Sequence, residues 1–223
     1  MSSFSDSKAI VGYAENAIRR VPGLNDIHRM SALLLAERTP PDGRVLVVGA
    51  GGGMELKFFA QSFPDWQLDG VDPSVEMLTL AKTNLEPLAS RIQLHQGYIE
   101  AAPTGPFDAA CCLLTLHFTT EAERYRTLCE IHARLKSGGA FVAMHYSISQ
   151  NRAERDLWLS RCAAFAVLSG VDPEQAKATT AALGKQLPIL APEQDEELMR
   201  KAGFSDINTF YVGLAFRGWV AHA

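Results

Sequence analysis

The stretch Val45-Leu46-Val47-Val48-Gly49-Ala50-Gly51-Gly52-Gly53-Met54 decides how this chain is read. Four apolar residues in a row describe the end of a strand buried on both faces, as parallel strands are. The glycines that follow let the backbone turn sharply and let a ligand approach main-chain atoms. Nineteen residues after Gly53 comes Asp72, which closes a second strand-like run, Leu68-Asp69-Gly70-Val71-Asp72. A glycine turn after one strand and a carboxylate at the end of the next is how open α/β sheets hold a nucleoside. The backbone takes one end of the ligand and the carboxylate takes the ribose hydroxyls.

The spacing narrows the ligand. A dinucleotide fingerprint places its third glycine at position 54, and that residue is Met54. With no second nucleotide-binding half, a nicotinamide-dependent reductase is disfavoured. Gly49, Ala50, Gly51 and Gly53 are therefore candidate contacts for a different nucleoside ligand, a tight turn with no ligand being the alternative. Asp72 accepts two hydroxyls at once in the functional reading and caps the helix after Pro73-Ser74 in the structural one. Asp69 faces away, because side chains alternate along a strand. Pro73 and Met77, beside the carboxylate, join the candidate set. Gly97, Tyr98 and Ile99 follow the third strand, where an adenine edge would lie, with Ile99 on the ring and Tyr98 offering a hydroxyl or a carbonyl.

The fourth strand, Phe107-Asp108-Ala109-Ala110-Cys111-Cys112-Leu113-Leu114, opens into Thr115-Leu116-His117-Phe118. Residues just past the carboxyl end of a parallel strand line the ligand crevice. Thr115 is placed there. His117 reads as a general base or as a structural histidine, the second being favoured. His145 and Tyr146 end the fifth strand and are further candidates for acid–base or orienting work. Asp108 is read as a loop hydrogen-bonding group.

Around this centre the rhythm is strand, helix, strand. Strands are expected near 44–49, 67–71, 91–95, 109–114 and 139–145, with helices near 53–62, 74–85 and 121–136. This alternation means a parallel sheet with right-handed crossovers. Before it, residues 8–38 read as two helices. Tyr13, Ala14, Ala17, Ile18 and Val21 stripe the first, Pro22-Gly23 breaks the pattern, and Asn25 is placed to cap the second. After it, residues 147–192 form a two-helix insertion with Trp158, Cys162, Phe165 and Leu168 on one stripe. Asp172-Pro173-Glu174 starts its second helix and Gly184 is placed as the stop. A helix at 193–202 closes at Gly203. Phe204 to Phe210 and Val212 to Val220 follow as strands too closely joined to be anything but antiparallel.

The chain has 223 residues, 47% of them apolar and 21% charged, with a net charge of −4. That suits one globular unit and gives no global attraction to nucleic acid or an anionic membrane. Cys111, Cys112, Cys129 and Cys162 have no CxxC spacing, and Cys111-Cys112, inside an apolar run, read as buried core thiols rather than as a disulfide or metal site. Met1 to Asp6 is polar, and no stretch approaches the roughly eighteen apolar residues of a membrane span. A cytoplasmic protein is expected.

Several of these motifs together resemble the class I S-adenosylmethionine-dependent methyltransferases. They are Gly49-x-Gly51-x-Gly53 with Asp72, Phe107-Asp108, Leu135-Lys136-Ser137-Gly138-Gly139, and Lys201-Ala202-Gly203-Phe204 before the closing hairpin. The resemblance spans about residues 10–222. It implies an α/β fold: a three-layer, Rossmann-like, doubly wound, seven-stranded, mostly parallel sheet with an antiparallel C-terminal hairpin. The whole chain would be one methyltransferase domain, its N-terminal helices (8–38) and insertion (147–192) covering the substrate site. The implied cofactor is S-adenosyl-L-methionine and the implied reaction an in-line methyl transfer. The implied partner is a small-molecule substrate, with a homodimer open. Within the superfamily, Arg20-Val21-Pro22-Gly23-Leu24-Asn25, Ala36-Glu37-Arg38, the exit of strand four and the insertion resemble the carboxymethyluridine-type tRNA wobble enzymes that use carboxy-S-adenosylmethionine.

Two departures from the superfamily pattern stand out. The acidic residue expected two positions before the first glycine is Val47, and the one expected after strand three is Tyr98. The tRNA group's pattern also has an arginine in the insertion that pairs with the extra carboxylate, and none lies between Pro173 and Pro188 here. The only basic residues between Pro173 and Pro188 are Lys177 and Lys185, and lysine does not replace an arginine fork. The ordinary cofactor is therefore favoured over a tRNA-directed reaction, and a binding protein that transfers nothing is the third reading. Arg29 reads as a clamp for the cofactor's carboxylate or as a solvated surface arginine. Tyr13, Trp158 and Phe165 read as aromatics that exclude water over the crevice or as core-packing residues, the second being favoured.

Overall fold

The computed structural model describes residues 12–223. The part of the N-terminal reading that falls on residues 8–11 lies outside them, as does the polar Met1–Asp6 segment. The elements run α1 (Tyr13–Arg20), α2 (Leu24–Ala36), β1 (Arg44–Val48), α3 (Met54–Ser62), β2 (Gln67–Asp72), α4 (Val75–Leu85), β3 (Ile92–Gln96), β4 (Phe107–Leu113), α5 (Glu121–Arg134), β5 (Leu135–Tyr146), α6 (Arg152–Leu168), α7 (Pro173–Gln186), α8 (Pro192–Lys201), β6 (Ser205–Gly213) and β7 (Phe216–His222).

The seven strands form one sheet in the order β3-β2-β1-β4-β5-β7-β6. The first five are parallel, and β7 runs antiparallel between β5 and β6. Alternation along the central strands sends side chains to two cores. Val45, Val47, Cys111, Val142 and Met144 pack with α2, α3 and α6 on one face. Leu46, Val48, Cys112, Phe141 and Trp219 pack with α5 and α8 on the other. This is the three-layer doubly wound fold expected. The chain order reverses between β1 and β4, so the crevice opens at the carboxyl ends of those strands.

Four local expectations are corrected. The cap of α2 is Gly23, in the left-handed region at φ 63°, and Asn25 lies inside the helix. α5 stops at Arg134, and the strand begins at Leu135 because Gly138, at φ 74°, lets a bulge run on into β5. Gly184 does not end α7; a Cβ there would lie 2.8 Å from Leu159 Cδ1, so the glycine lets α7 approach α6 closely. The closing hairpin turns at Leu214-Ala215, with Leu214 at φ 55°, rather than near residue 211. The Asp172 cap holds: its carboxylate accepts from Gln175 N at 2.9 Å. No disulfide forms among the described residues, and Cys111 and Cys112 are fully buried.

Candidate active site at the carboxyl ends of β1, β2 and β4

The turn after β1 is built from left-handed glycines: Gly49 at φ 76°, Gly51 at 46° and Gly53 at 82°. A side chain at Gly49 would collide with Thr115, whose Oγ1 would lie 1.9 Å from the added Cβ. The exit of β4 is thus pressed against the turn. Thr115 is fixed there by donating its hydroxyl to Leu113 O at 2.9 Å. The space over Gly51 differs. An added Cβ would meet Met77 Cε at 3.4 Å and the Tyr13 hydroxyl oxygen at 3.7 Å, ordinary contact distances. That is a cradle walled by Met77 and Tyr13, and its backbone is held by bonds from Gly49 N and Ala50 N to Val71 O and from Gly53 N to Ala50 O.

Asp72 stands at its edge. One carboxylate oxygen accepts from Gly51 N and the other from Ser74 N, both at 2.9 Å. Each oxygen keeps a lone pair for a further donor. Burial raises the Asp72 pKa above the ordinary carboxylate value against the pull of these two bonds, and Glu55 adds to the rise. Ser74 caps α4, accepting from Met77 N at 3.2 Å, which buries Met77 beside the turn. Pro73 is exposed and Ala50 fully buried. After β3, Gly97 N donates to Asp72 O at 3.1 Å. Ile99 is buried there and Tyr98 is 54% exposed, so the strand-three exit sits beside the Asp72 end of the cradle.

Sequence reasoning missed the carboxylate beneath the turn. Glu55, in the first turn of α3, is buried, and His28 Nε2 of α2 lies 3.3 Å from its Oε1. Its charge reaches Tyr13, Asp72, Cys111 and Cys112, the last pushed up to about 12 mainly by burial. Tyr13 is itself raised, by burial first and then by Glu55 and Asp72. Negative charge is thus concentrated under the glycine turn although Val47 supplies none.

The candidate acid–base residues divide. His117 is buried and its Nδ1 accepts from Tyr146 N at 3.4 Å; burial, then His145 and Arg124, holds its pKa well below the usual histidine value. It is a neutral ring packed edge-on against Tyr146. His145 points to the opposite face of β5 from Tyr146. It is 1% exposed, lies 3.2 Å from Asp195 Oδ1 and packs on Trp219, so it is not in the crevice with the glycine turn. Tyr146 lies on the α1–α6 side, its ring 4.0 Å from that of Phe216. Asp69 pairs with Arg44 at 2.9 Å and His95 at 2.7 Å on the side away from the cradle. Asp108 binds Lys136 and Arg44 N. Arg29 is no clamp: it is exposed, pairs with Asp26 at 3.0 Å, and lines an outer groove of about 520 Å³ with Leu33, Phe58 and Phe63. Among the described residues no group of side chains could hold a metal ion, and no helix is long and apolar enough to cross a membrane.

Comparison with known proteins agrees with this geometry. Residues 45–139 match the family model described as a methyltransferase domain. Over 216 residues the chain is 21% identical to a carboxy-S-adenosyl-L-methionine synthase of Campylobacter fetus, covering 97% of this chain and 92% of that one. Human N-acetylserotonin methyltransferase, solved with S-adenosylmethionine, superposes with a TM-score of 0.60 at 15% identity, over 98% of this chain and 59% of that one. An O-methyltransferase family 2 protein of Planctomyces limnophilus, in complex with apigenin, gives a TM-score of 0.60 at 17% identity, over 88% and 61%. The chain thus spans about three fifths of the length of these two solved structures. The glycine turn, the carboxylate that ends β2 and the strand order of the sheet accord with these matches: the chain has the class I S-adenosylmethionine-dependent methyltransferase fold, with a methyltransferase domain matched over residues 45–139.

Proposed function

We propose that this chain transfers the methyl group of S-adenosyl-L-methionine, in line, to a small-molecule acceptor. The observation that carries the reading is Asp72. Its carboxylate is anchored by Gly51 N and Ser74 N beside the left-handed glycine turn, with lone pairs left for two ribose hydroxyls. Ile99 and Tyr98 flank the adenine side, and Met77 and Thr115 wall the turn. Glu55, oriented by His28, supplies the negative charge for the cofactor's ammonium end that Val47 cannot. The cofactor, when bound, brings a sulfonium methyl already activated for attack, so the protein's task is aim and exclusion of water. Tyr13 covers the turn, and α1 with the α6–α7 hairpin covers the rest. A base is required only if the nucleophile must lose a proton. His117 is too buried and too firmly neutral to serve as one without movement.

The test is calorimetric titration with S-adenosylhomocysteine. Wild-type protein is expected to bind it, and Asp72→Ala to weaken binding at least about tenfold, the worth of charge-assisted bonds to two hydroxyls. Equal affinity in the variant removes the ribose assignment.

A second reading has one observation behind it. The full-length relative carries a name in carboxy-S-adenosylmethionine chemistry, which keeps a carboxylated cofactor and a tRNA-directed reaction in view. The net charge of −4 weighs against tRNA. Mass spectrometry of ligand carried through purification separates the two cofactors. Turnover of any acceptor removes the third reading, a protein that binds the nucleoside and transfers nothing.

A further inference from the structure

Helix α1 presents three half-buried positions inward, Tyr13, Ala17 and Arg20, and leaves the rest exposed. The spacing i, i+4, i+7 is one face of a helix. At its first end, the Tyr13 ring lies against the glycine turn, with Cδ1 3.5 Å from where a Gly52 Cβ would be. Seven residues on, about 10 Å along the axis, is Arg20. The chain just beyond it is fixed at the other end of the crevice. Val21 is buried in the same core as Tyr146, Cys162 and Phe216, and Pro22 O accepts from the Tyr211 hydroxyl at 2.6 Å. So α1 bridges from the cofactor turn to the carboxyl end of β5, with only an alanine facing inward between its two large residues.

Arg20 is anomalous in charge. Among the described residues, the other partly or fully buried arginines each donate to a carboxylate or a carbonyl: Arg44, Arg91, Arg124, Arg134, Arg155 and Arg217. Among the described residues the Arg20 side chain makes no hydrogen bond and no ion pair, and every described lysine is exposed. Its charge nevertheless bears on Tyr146, where it opposes the rise that burial and Cys162 impose on the phenol. A guanidinium partly withdrawn from water and left without an acceptor is costly, and an anion seated beside it offsets that cost.

We propose that the acceptor carries a carboxylate, and that Arg20 binds it at the β5 end of the crevice, against the Tyr146 and Phe216 rings and beneath Ala17. This rests on the methyltransferase reading above. It makes the substrate class a small, single-ring carboxylic acid, held with its carboxylate far from the glycine turn and its nucleophile toward it. Arg20 is a binding and orienting residue here and exchanges no proton.

The test uses the full chain with 4-hydroxybenzoate as probe and 4-hydroxybenzyl alcohol as its neutral counterpart, titrated by calorimetry with and without S-adenosylhomocysteine. Wild-type protein should bind the acid saturably and more tightly than the alcohol. Arg20→Gln should weaken the acid at least about tenfold. It should leave the alcohol, the S-adenosylhomocysteine affinity and the thermal midpoint unchanged, and Arg20→Lys should recover part of the loss. Equal binding of the acid to wild type and Arg20→Gln, or no saturable binding to wild type, overturns the proposal. So does loss of cofactor affinity in Arg20→Gln, or a selectivity of Arg20 for carboxy-S-adenosylmethionine over S-adenosylmethionine, because the guanidinium would then belong to the cofactor. Wild-type protein that binds no S-adenosylhomocysteine sinks the methyltransferase reading instead, and the titrations run without it still decide Arg20.

Discussion

At position 47 the side chain is a valine packed in the core, and the carboxylate we propose for the turn is that of Glu55, which follows the glycines in the chain and meets His28. The sequence made the turn and Asp72 legible because glycine and aspartate there each have few structural uses. It hid Glu55, because a glutamate in the first turn of a helix is ordinarily a solvated partner of the helix dipole. Only the packing of α2 on α3 reveals that it points inward to His28. The two arginines carry the same lesson. Arg29 and Arg20 look alike in the sequence, yet one lies on an outer surface and the other on the inner face of α1. Glu55→Gln tests the assignment at this scale. It keeps a hydrogen-bonding side chain for His28 and removes the charge, so affinity for S-adenosylmethionine should fall about tenfold. Stability to guanidinium should hold or rise, since a buried charge no longer has to be desolvated.

The strands and helices themselves were legible from apolar runs and punctuation, while their ends were set by contacts between elements. Gly184 and Gly138 illustrate this: the first looked like a stop and instead permits a close approach, and the second lets a bulge run on into β5. Gly70, in the middle of β2, is the same kind of residue at the site. An added Cβ there would lie 2.7 Å from Leu56 Cδ1, 2.9 Å from Ala50 Cβ and 3.2 Å from Leu94 Cδ2. Its bare surface lets the glycine turn and the start of α3 settle onto the sheet. Gly70→Ala is therefore expected to cost about 1–3 kcal/mol, the usual range for overpacking, and to weaken S-adenosylhomocysteine binding by lifting the turn. Denaturant unfolding and calorimetry check the two effects separately.

Across the whole molecule, one buried polar cluster ties the last layer to the sheet. Asp195 of α8 meets Arg124 of α5 and His145 of β5, and Arg124 also donates to Pro188 O at 3.0 Å. Burial would raise the Asp195 pKa, but His145 and Arg124 together hold it below the ordinary carboxylate value. Its contribution to stability is therefore present above the unfolded value and is lost as pH falls through the lowered one. Arg124→Met leaves Asp195 buried without its guanidinium and should cost about 3–5 kcal/mol. Adding Asp195→Leu should restore part of that, as read from guanidinium midpoints. No sequence motif announces this cluster, because its members lie far apart along the chain. The Tyr211–Pro22 bond is longer-range still, 189 residues from end to end. It ties the segment that follows α1 to the closing hairpin, and β7 of that hairpin must insert between β5 and β6. The proposed cover of the crevice is thus secured by a contact of very high sequence separation, the kind that forms late and slowly. During synthesis the glycine turn and Asp72 can be assembled while the roof over them is still unlatched, so competence for chemistry arrives only after the hairpin has been made and has folded back.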